Sequence, residues 1–338
     1  MMRDPKFEYT MTDFRKLFEA FSNIKAGVIG DIMLDTYWWG HVERISPEAP
    51  VPVVALDQRE ARIGGAGNVA LNLASLGVKV ATFSVLGTDE EGKVLGELLS
   101  TNYIDTQYLL KSEGRITTNK TRVISRNQQM MRLDSEVTKD LSAAEEDAIL
   151  SRVRLYLERE KPQVIIFEDY NKGVLTERVI RESIALCKAQ GVVTAVDPKR
   201  KNFFSYKGVT IFKPNLKEVR EGLNLLVADV DLPSLQAIHD QLAERLQHQI
   251  SFITLSEKGV FYEEPGSSAI IPSHLRNIAD VSGAGDTVIA VASLVYAATK
   301  NTALMAEIAN IAGGLVCEEV GTVTIDKERL LQECEVLL

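Results

Sequence analysis

The chain has 338 residues, 45% hydrophobic and 25% charged, the balance of a soluble globular protein of one large α/β domain or two smaller ones. A formal charge of −9 argues against a general nucleic-acid surface but leaves room for a local basic pocket that takes a small anion. No run is long enough to span a membrane, and the opening M-M-R-D-P-K-F-E lacks a signal peptide's apolar core. Cys187, Cys317 and Cys334 have no metal-ligand spacing and read as reduced thiols of a cytoplasmic protein. The histidines His41, His239, His248 and His274 form no cluster.

Phe14, Leu17, Phe18 and Phe21 recur at helical spacing, which predicts an amphipathic lead-in helix within 1–23. A short buried strand over 26–32 follows, with Asp31 near its end. Two prolines and the alternating V-P-V-V-A-L within 38–63 predict exposed β-structure outside the main sheet. A glycine turn feeds a small-residue helix over 63–77; strand 79–87 and helix 90–102 come next. A second β-rich patch, 116–133, joins the first as a small lid sheet over about 38–62 and 115–134. Then the chain alternates regularly: helix 142–161, strand 164–167, helix 176–190, strand 192–196, strand 209–212, helices near 216–223 and 232–248, and strand 252–255. Such alternation predicts a single α/β domain, 1–338, whose mostly parallel sheet is covered by helices on both faces.

The predicted strands repeatedly end in charged residues: Asp31; Glu168 to Lys172; Asp197-Pro198-Lys199; Lys213-Pro214-Asn215; Ser256-Glu257-Lys258-Gly259. Ligands bind at the carboxyl ends of parallel strands, so one polar cleft is expected there. The stretch 277–291, N-I-A-D-V-S-G-A-G-D-T-V-I-A-V, places Asp286 in the first turn of an apolar helix over 287–298. Free amides of Gly283, Ala284, Gly285 and Asp286 would form an anion site at that terminus. An acid inside an anion hole suits a base beside a phosphoryl acceptor; the alternative is a plain helix cap.

Three further patterns have competing readings. Gly65-Ala66-Gly67-Asn68-Val69-Ala70 matches the dinucleotide fingerprint on paper, but it follows no buried first strand, and no acid ends the next one. Gly64, Gly65 and Asn68, with Asp31, suit contact with a polyol, tight helix–strand packing being equally weighted. The Gly87–Val94 stretch fails as a P-loop because Val94 cannot ligate magnesium. Asn215-x-x-Glu218 is either a capping box or a pair holding the waters of a magnesium–phosphate complex.

Together, G-G-A-G-N-V-A, N-L-K-E and D-V-S-G-A-G-D-T resemble the signatures of the ribokinase-like (PfkB) sugar kinases, in the right order over roughly 24–330. G-D-I-M-L-D, R-I-S-P-E-A-P-V-P-V-V, R-N-Q-Q-M-M-R-L-D, E-D-Y-N-K-G and D-P-K resemble the heptose 7-phosphate kinase branch, in its free-standing form. The resemblance implies a three-layer α/β/α fold with a β-sheet lid, ATP and Mg²⁺ as cofactors, and Asp286 as catalytic base with Gly283, Ala284 and Gly285 as the anion hole. It implies Asp31, Gly64, Gly65, Asn68 and Lys120 around the sugar, and Asn215 and Glu218 near Mg²⁺ and the phosphates. Thr254, Ser256 and Gly259 would lie along the nucleotide; Asp280 and Ser282 match a monovalent-cation (K⁺) position. Where the branch more often has serine, this chain has Glu168. A phosphorylated sugar needs cations, and Arg44, Arg126, Lys172 and Lys199 flank the cleft motifs. The lid's exposed strands predict a homodimer. Another sugar (a fructose phosphate or ribose) and a non-catalytic sugar- or nucleotide-binding regulator are the alternatives.

Overall fold

The computed structural model describes residues 13–126, 128–226 and 230–338. The part of the lead-in expectation over 1–12 lies outside the described residues. Its remainder is helix α1 (Phe14–Ala20), whose N-terminus is capped by the Asp13 side chain. Strands β1 (Lys25–Gly30), β2 (Ile32–Ile45) and β3 (Pro52–Gly65) follow, then helix α2 (Ala66–Ser75), strands β4 (Lys79–Phe83) and β5 (Val85–Gly87), and helix α3 (Glu90–Thr101). Next come strands β6 (Leu110–Ser112), β7 (Asn119–Ser125) and β8 (Gln128–Ser135), helix α4 (Ala143–Glu160), strand β9 (Val164–Glu168) and helix α5 (Glu177–Ala189). Strands β10 (Val193–Asp197) and β11 (Ile211–Phe212) lead to helices α6 (Leu216–Leu223) and α7 (Leu232–Leu246). The last described stretch holds strands β12 (Ile250–Thr254), β13 (Val260–Glu264) and β14 (Ser267–Ile271), then helices α8 (Ala284–Thr299), α9 (Thr302–Val316) and α10 (Lys327–Leu337).

The central sheet has eight strands in the order β14-β13-β12-β11-β10-β9-β1-β4. β4 through β12 run parallel, and β13 and β14 extend the edge antiparallel. Period-2 side chains divide the core between its two faces. On β9, Val164 and Ile166 face the layer built by α2, α8 and α9, whereas Ile165 and Phe167 face that of α4, α5 and α7. Both faces being covered explains why these strands are apolar without alternation. Helix α8 is sandwiched among α2, α9 and the strand ends β9 and β10, so it is apolar all round rather than on one stripe.

The lid begins earlier than expected. After β1 the chain breaks at Asp31 and continues as β2, which leaves the main sheet for a second one, β3-β2-β7-β8. β2 pairs with β3 antiparallel and with β7 in parallel. β3 returns as far as Gly65, where α2 starts, so the chain crosses itself at the cleft: the Ala66 amide donates to the Asp31 carbonyl at 3.0 Å. The expected strand over 79–87 divides at the buried Ser84 into β4 and β5, the latter pairing with β6.

Candidate active site

Helix α8 opens at Gly283, whose φ of +78° only glycine adopts cheaply. A side chain there would also lie 3.0 Å from Nδ2 of Asn68. Among the described residues, the amides of Gly285 and Asp286 make no backbone hydrogen bond, whereas the Ala284 amide donates to the Val281 carbonyl at 3.3 Å. The expected four-amide hole therefore loses Ala284 to a turn. What remains still carries the positive end of a sixteen-residue helix.

Asp286 is 5% exposed and held from two sides. Its Oδ2 accepts from Nδ2 of Asn68 at 2.7 Å, and its Oδ1 from the Tyr170 hydroxyl at 2.8 Å. Burial pushes its carboxyl up to about 6, against the two hydrogen bonds, which favour the charged form. Asn68 stands on the first turn of α2 and is fixed by Asn72, whose Nδ2 donates to the Asn68 carbonyl at 2.8 Å. Asn72 also accepts from the Thr287 hydroxyl at 3.2 Å, tying α2 to α8. The side-chain amide of Asn68, expected against a sugar, thus holds Asp286 in place.

Asp31 is turned inward in the same way. Its carboxylate accepts the amides of Tyr170, Lys172 and Val174, each at 3.0 Å, and so shapes the loop after β9. Gly65 has φ +59° and no room for a side chain against the Asp31 carbonyl, which is the packing alternative. Gly64 is different: a Cβ there would fall 2.2 Å from Oδ2 of Asp35. Asp35, buried on β2 and bonded to Nη1 of Arg122 at 2.6 Å, is a cleft acid that sequence reasoning missed. Its signal was the second acid of G-D-I-M-L-D, four residues after Asp31 and across the register from Lys120.

Below the hole lies a buried charge cluster at the ends of β9, β10 and β11. Lys213, 2% exposed, donates to Oδ2 of Asp197 at 2.7 Å. A Cβ on Gly285 would sit 3.5 Å from that oxygen and 4.0 Å from Nζ of Lys213. Lys199 bridges Asp197 at 3.3 Å and Glu218 at 2.7 Å, and these carboxylates hold its ammonium firmly charged against burial. Glu168, fully buried, has neither carboxylate oxygen hydrogen-bonded. Burial, with Asp197 and Asp286 nearby, pushes its acid well above the usual range.

Asn215 and Glu218 form the capping box, each side chain bonded to the other's amide at 2.8 Å. Glu218 gives its other oxygen to Lys199, so both of its oxygens are engaged. Among the described residues no three His, Cys, Asp or Glu gather to hold a metal. That donor set fits a magnesium ion carried on nucleotide phosphates, reached at most by Asn215 and Glu218, better than one caged by protein. Thr254 ends β12 and bridges to Asn215. Ser256 (φ +56°) and Gly259 (φ +95°) form the tight turn into β13, and a Cβ on Gly259 would strike the Ile271 carbonyl at 2.0 Å. Gly259 is therefore needed for packing against β14. Asp280 accepts from the amide (3.0 Å) and hydroxyl (2.9 Å) of Ser282 and from the Gly321 amide (2.9 Å), and so organises the loop before α8.

The expected phosphate-binding cations separate. Arg44 is exposed at the far end of β2, roughly 30 Å of extended strand from Asp35. Arg126 is exposed at the turn between β7 and β8, on the same distal end. The structure does not bring either to the cleft of this chain. Lys172 pairs with Glu136 at 2.7 Å. Lys120 lies at the lid's base and, among the described residues, makes no ion pair. Its Nζ stands 5.3 Å from the Tyr170 ring centroid. Burial chiefly, with Lys172 and Arg132 nearby, lowers its proton affinity. Arg122 and Arg132 face each other across β7 and β8 and were not anticipated.

Residues 24–329 match the model of the pfkB family carbohydrate kinases. The bifunctional protein HldE of Methylobacillus flagellatus is 43% identical over 310 residues, covering 91% of this chain and 62% of that protein. The chain thus spans less than two thirds of the length of such relatives. The Escherichia coli phosphofructokinase-2 in complex with substrates and products superposes with TM-score 0.77 at 17% identity, covering 93% of this chain and 99% of that one. The same enzyme in complex with potassium gives TM-score 0.76 at 16% identity, over 92% and 99%.

The chain belongs to the pfkB family of carbohydrate kinases, and is a phosphotransferase acting on a sugar hydroxyl with a ribokinase-like fold. Sugar, ATP and a divalent metal follow from that class. No helix among the described residues is long and apolar enough to cross a membrane.

Proposed function

We propose that this kinase transfers the γ-phosphoryl group of ATP to the anomeric hydroxyl of D-glycero-D-manno-heptose 7-phosphate, giving the 1,7-bisphosphate. The observation that carries the reaction is Asp286, buried beside the open amides of α8 and held by Asn68 and Tyr170. The acceptor hydroxyl gives its proton to Asp286 as it attacks phosphorus. The amides of Gly285 and Asp286, with Lys213 beneath, stabilise charge on the transferring group, and Mg²⁺ on the phosphates neutralises them when bound. Asn215 and Glu218 are assigned to the waters of that ion, with Thr254, bridged to Asn215, assigned to the nucleotide. A potassium ion against the loop of Asp280 and Ser282 is part of the proposal, since one similar structure is a potassium complex. The lid sheet closes over the sugar and keeps water out.

The heptose assignment is supported by the stretches that resemble that branch and by cations gathered at the lid's base. Steady-state ADP release with heptose 7-phosphate, fructose 6-phosphate and ribose, each offered alone, tests it. Turnover confined to the heptose is expected; a preference for either other sugar would overturn the substrate while keeping the site.

Lys120, which makes no ion pair among the described residues although Asp35 and Asp134 flank it across the strands, is assigned to the sugar's phosphate, with Lys172, Arg122 and Arg132 around it. Lys120→Ala should raise KM for the phosphosugar about thirtyfold and that for ATP less than about threefold. Equal changes in both would remove this assignment. Ile45, Val51, Met131 and Leu133 are exposed on the lid, which we assign to a homodimer contact. Light scattering should give twice the 37.4 kDa chain mass; a monomer at working concentration would contradict it.

A further inference from the structure

Tyr170 stands out once the base is located. Its hydroxyl occupies Oδ1 of Asp286 at 2.8 Å, while Asn68 occupies Oδ2. Both oxygens of the base are thus engaged before any acceptor arrives. Two ammonium groups carried by different sheets stand near the ring. Nζ of Lys120, from the lid, is 5.3 Å from its centroid, and Nζ of Lys199, from the end of β10, is 5.7 Å. The backbone beneath is equally fixed, because the amides of Tyr170 and Lys172 both donate to the inward-turned Asp31. Its neighbour Asn171, at φ +55°, donates its amide to Asp169 at 2.8 Å. So firmly mounted a side chain, aimed at the reacting carboxylate, has a cost to explain: it competes with the substrate.

We propose that Tyr170 is a cap on the catalytic base, keeping Oδ1 of Asp286 from water until the sugar hydroxyl displaces the phenol. The inference rests on Asp286 being the base. A kinase must bind ATP without spending it on water. Uncapped, Asp286 can take a proton from a water molecule whose oxygen then bonds to the γ-phosphorus. The bond from phosphorus to the bridging oxygen breaks, and ADP and inorganic phosphate leave. With the phenol in place, the lone pair of Oδ1 that it occupies is closed to water, and a water approaching along that direction must displace both a hydrogen bond and a ring with two cations near it. A sugar fixed by its other hydroxyls and its phosphate brings binding energy that water lacks. Burial and the carboxylates of Asp286, Glu168 and Asp197 keep the phenol protonated, so it acts as donor and never as a competing base. Lys120 and Lys199 are the cations facing it. Because Lys120 belongs to the lid, lid position and cap are mechanically linked.

Tyr170→Phe removes the hydroxyl and keeps the ring near both lysines. Phosphate release from ATP and Mg²⁺ without sugar should rise about tenfold over wild type, and the added change Asp286→Asn should abolish the rise. The acid limb of that hydrolysis should move to higher pH, since a donor favouring charged Asp286 is gone. Unchanged hydrolysis in Tyr170→Phe would overturn the cap. So would a parallel fall in hydrolysis and sugar transfer, the mark of a purely structural residue. Failure of the base assignment looks different: Asp286→Asn alone would then keep sugar transfer.

Discussion

Asp286→Asn should lower kcat for sugar-dependent ADP release about 10³-fold while changing ATP affinity less than about threefold, measured by steady-state kinetics and nucleotide titration. The amide keeps size and can still accept one hydrogen bond, but it cannot take the acceptor's proton. Retained turnover would remove Asp286 from the mechanism. The same carboxylate sets the pH dependence. Burial raises it to about 6, and only the charged form is a base, so kcat/KM should fall about tenfold per pH unit below that value. Stability carries the opposite sign. A carboxyl raised from 3.8 to about 6 on folding binds its proton more tightly in the folded state. Its contribution is therefore full below 3.8 and lost as pH rises through about 6. Above that, buried charge costs about 3 kcal/mol, most of which the asparagine variant should recover at pH 8 but not at pH 4. A kinase kept less stable by its own base is a familiar trade between activity and stability.

Lys213→Met should produce the second large effect. The ammonium is buried and bonded to Asp197 close to Gly285, whose amide is proposed to face the phosphates. Methionine fills similar space but leaves Asp197 with only Lys199, at 3.3 Å, and adds net negative charge below the anion site. We expect KM for ATP to rise about 10²-fold and unfolding to become easier by about 3 kcal/mol, since breaking a buried pair leaves an uncompensated charge. Urea melts and ATP titrations check both. Adding Asp197→Asn should restore stability without restoring ATP affinity, because the missing cation, not the strain, weakens phosphate binding. An unchanged KM for ATP would place Lys213 among structural residues.

Much of the fold was legible because its physics is local. Continuous apolar strands ending in charged residues predict a buried parallel sheet with a polar carboxyl edge, and that edge is where Asp286, Lys199, Lys213 and Glu168 meet. The lid was legible from its prolines and alternation, though its first strand starts at Ile32 because nothing in the sequence marks the break at Asp31. Residues beyond 298 received no assignment. The helix α9 is apolar apart from Thr302, Glu307 and Asn310, so only a weak amphipathic period marks it. The site divides along a similar line. Asp286 and Gly283 could be read from helix-start chemistry, which is a property of neighbours in sequence. What Asp31, Asn68 and Glu218 do depends on partners 139 to 143, 218 and 19 residues away, and no spacing rule gives those. Each of these polar side chains, expected to face a ligand, is bonded to the protein around it. Arg44 and Arg126 lie away from this chain's cleft for a simpler reason: a long strand carries residues outward at about 3.3 Å each. Asp35 and Tyr170 were passed over because each stands beside a more prominent motif residue.

In the proposed reaction a phosphoryl group moves from ATP to the anomeric oxygen of a sugar that already carries a phosphate. Phosphorus NMR of the product tests this most directly. With heptose 7-phosphate, ATP and Mg²⁺, a second sugar-phosphate resonance should appear, split by the anomeric proton, with ADP formed in equal amount. A new resonance coupled to any other sugar proton, or inorganic phosphate alone, would contradict the account.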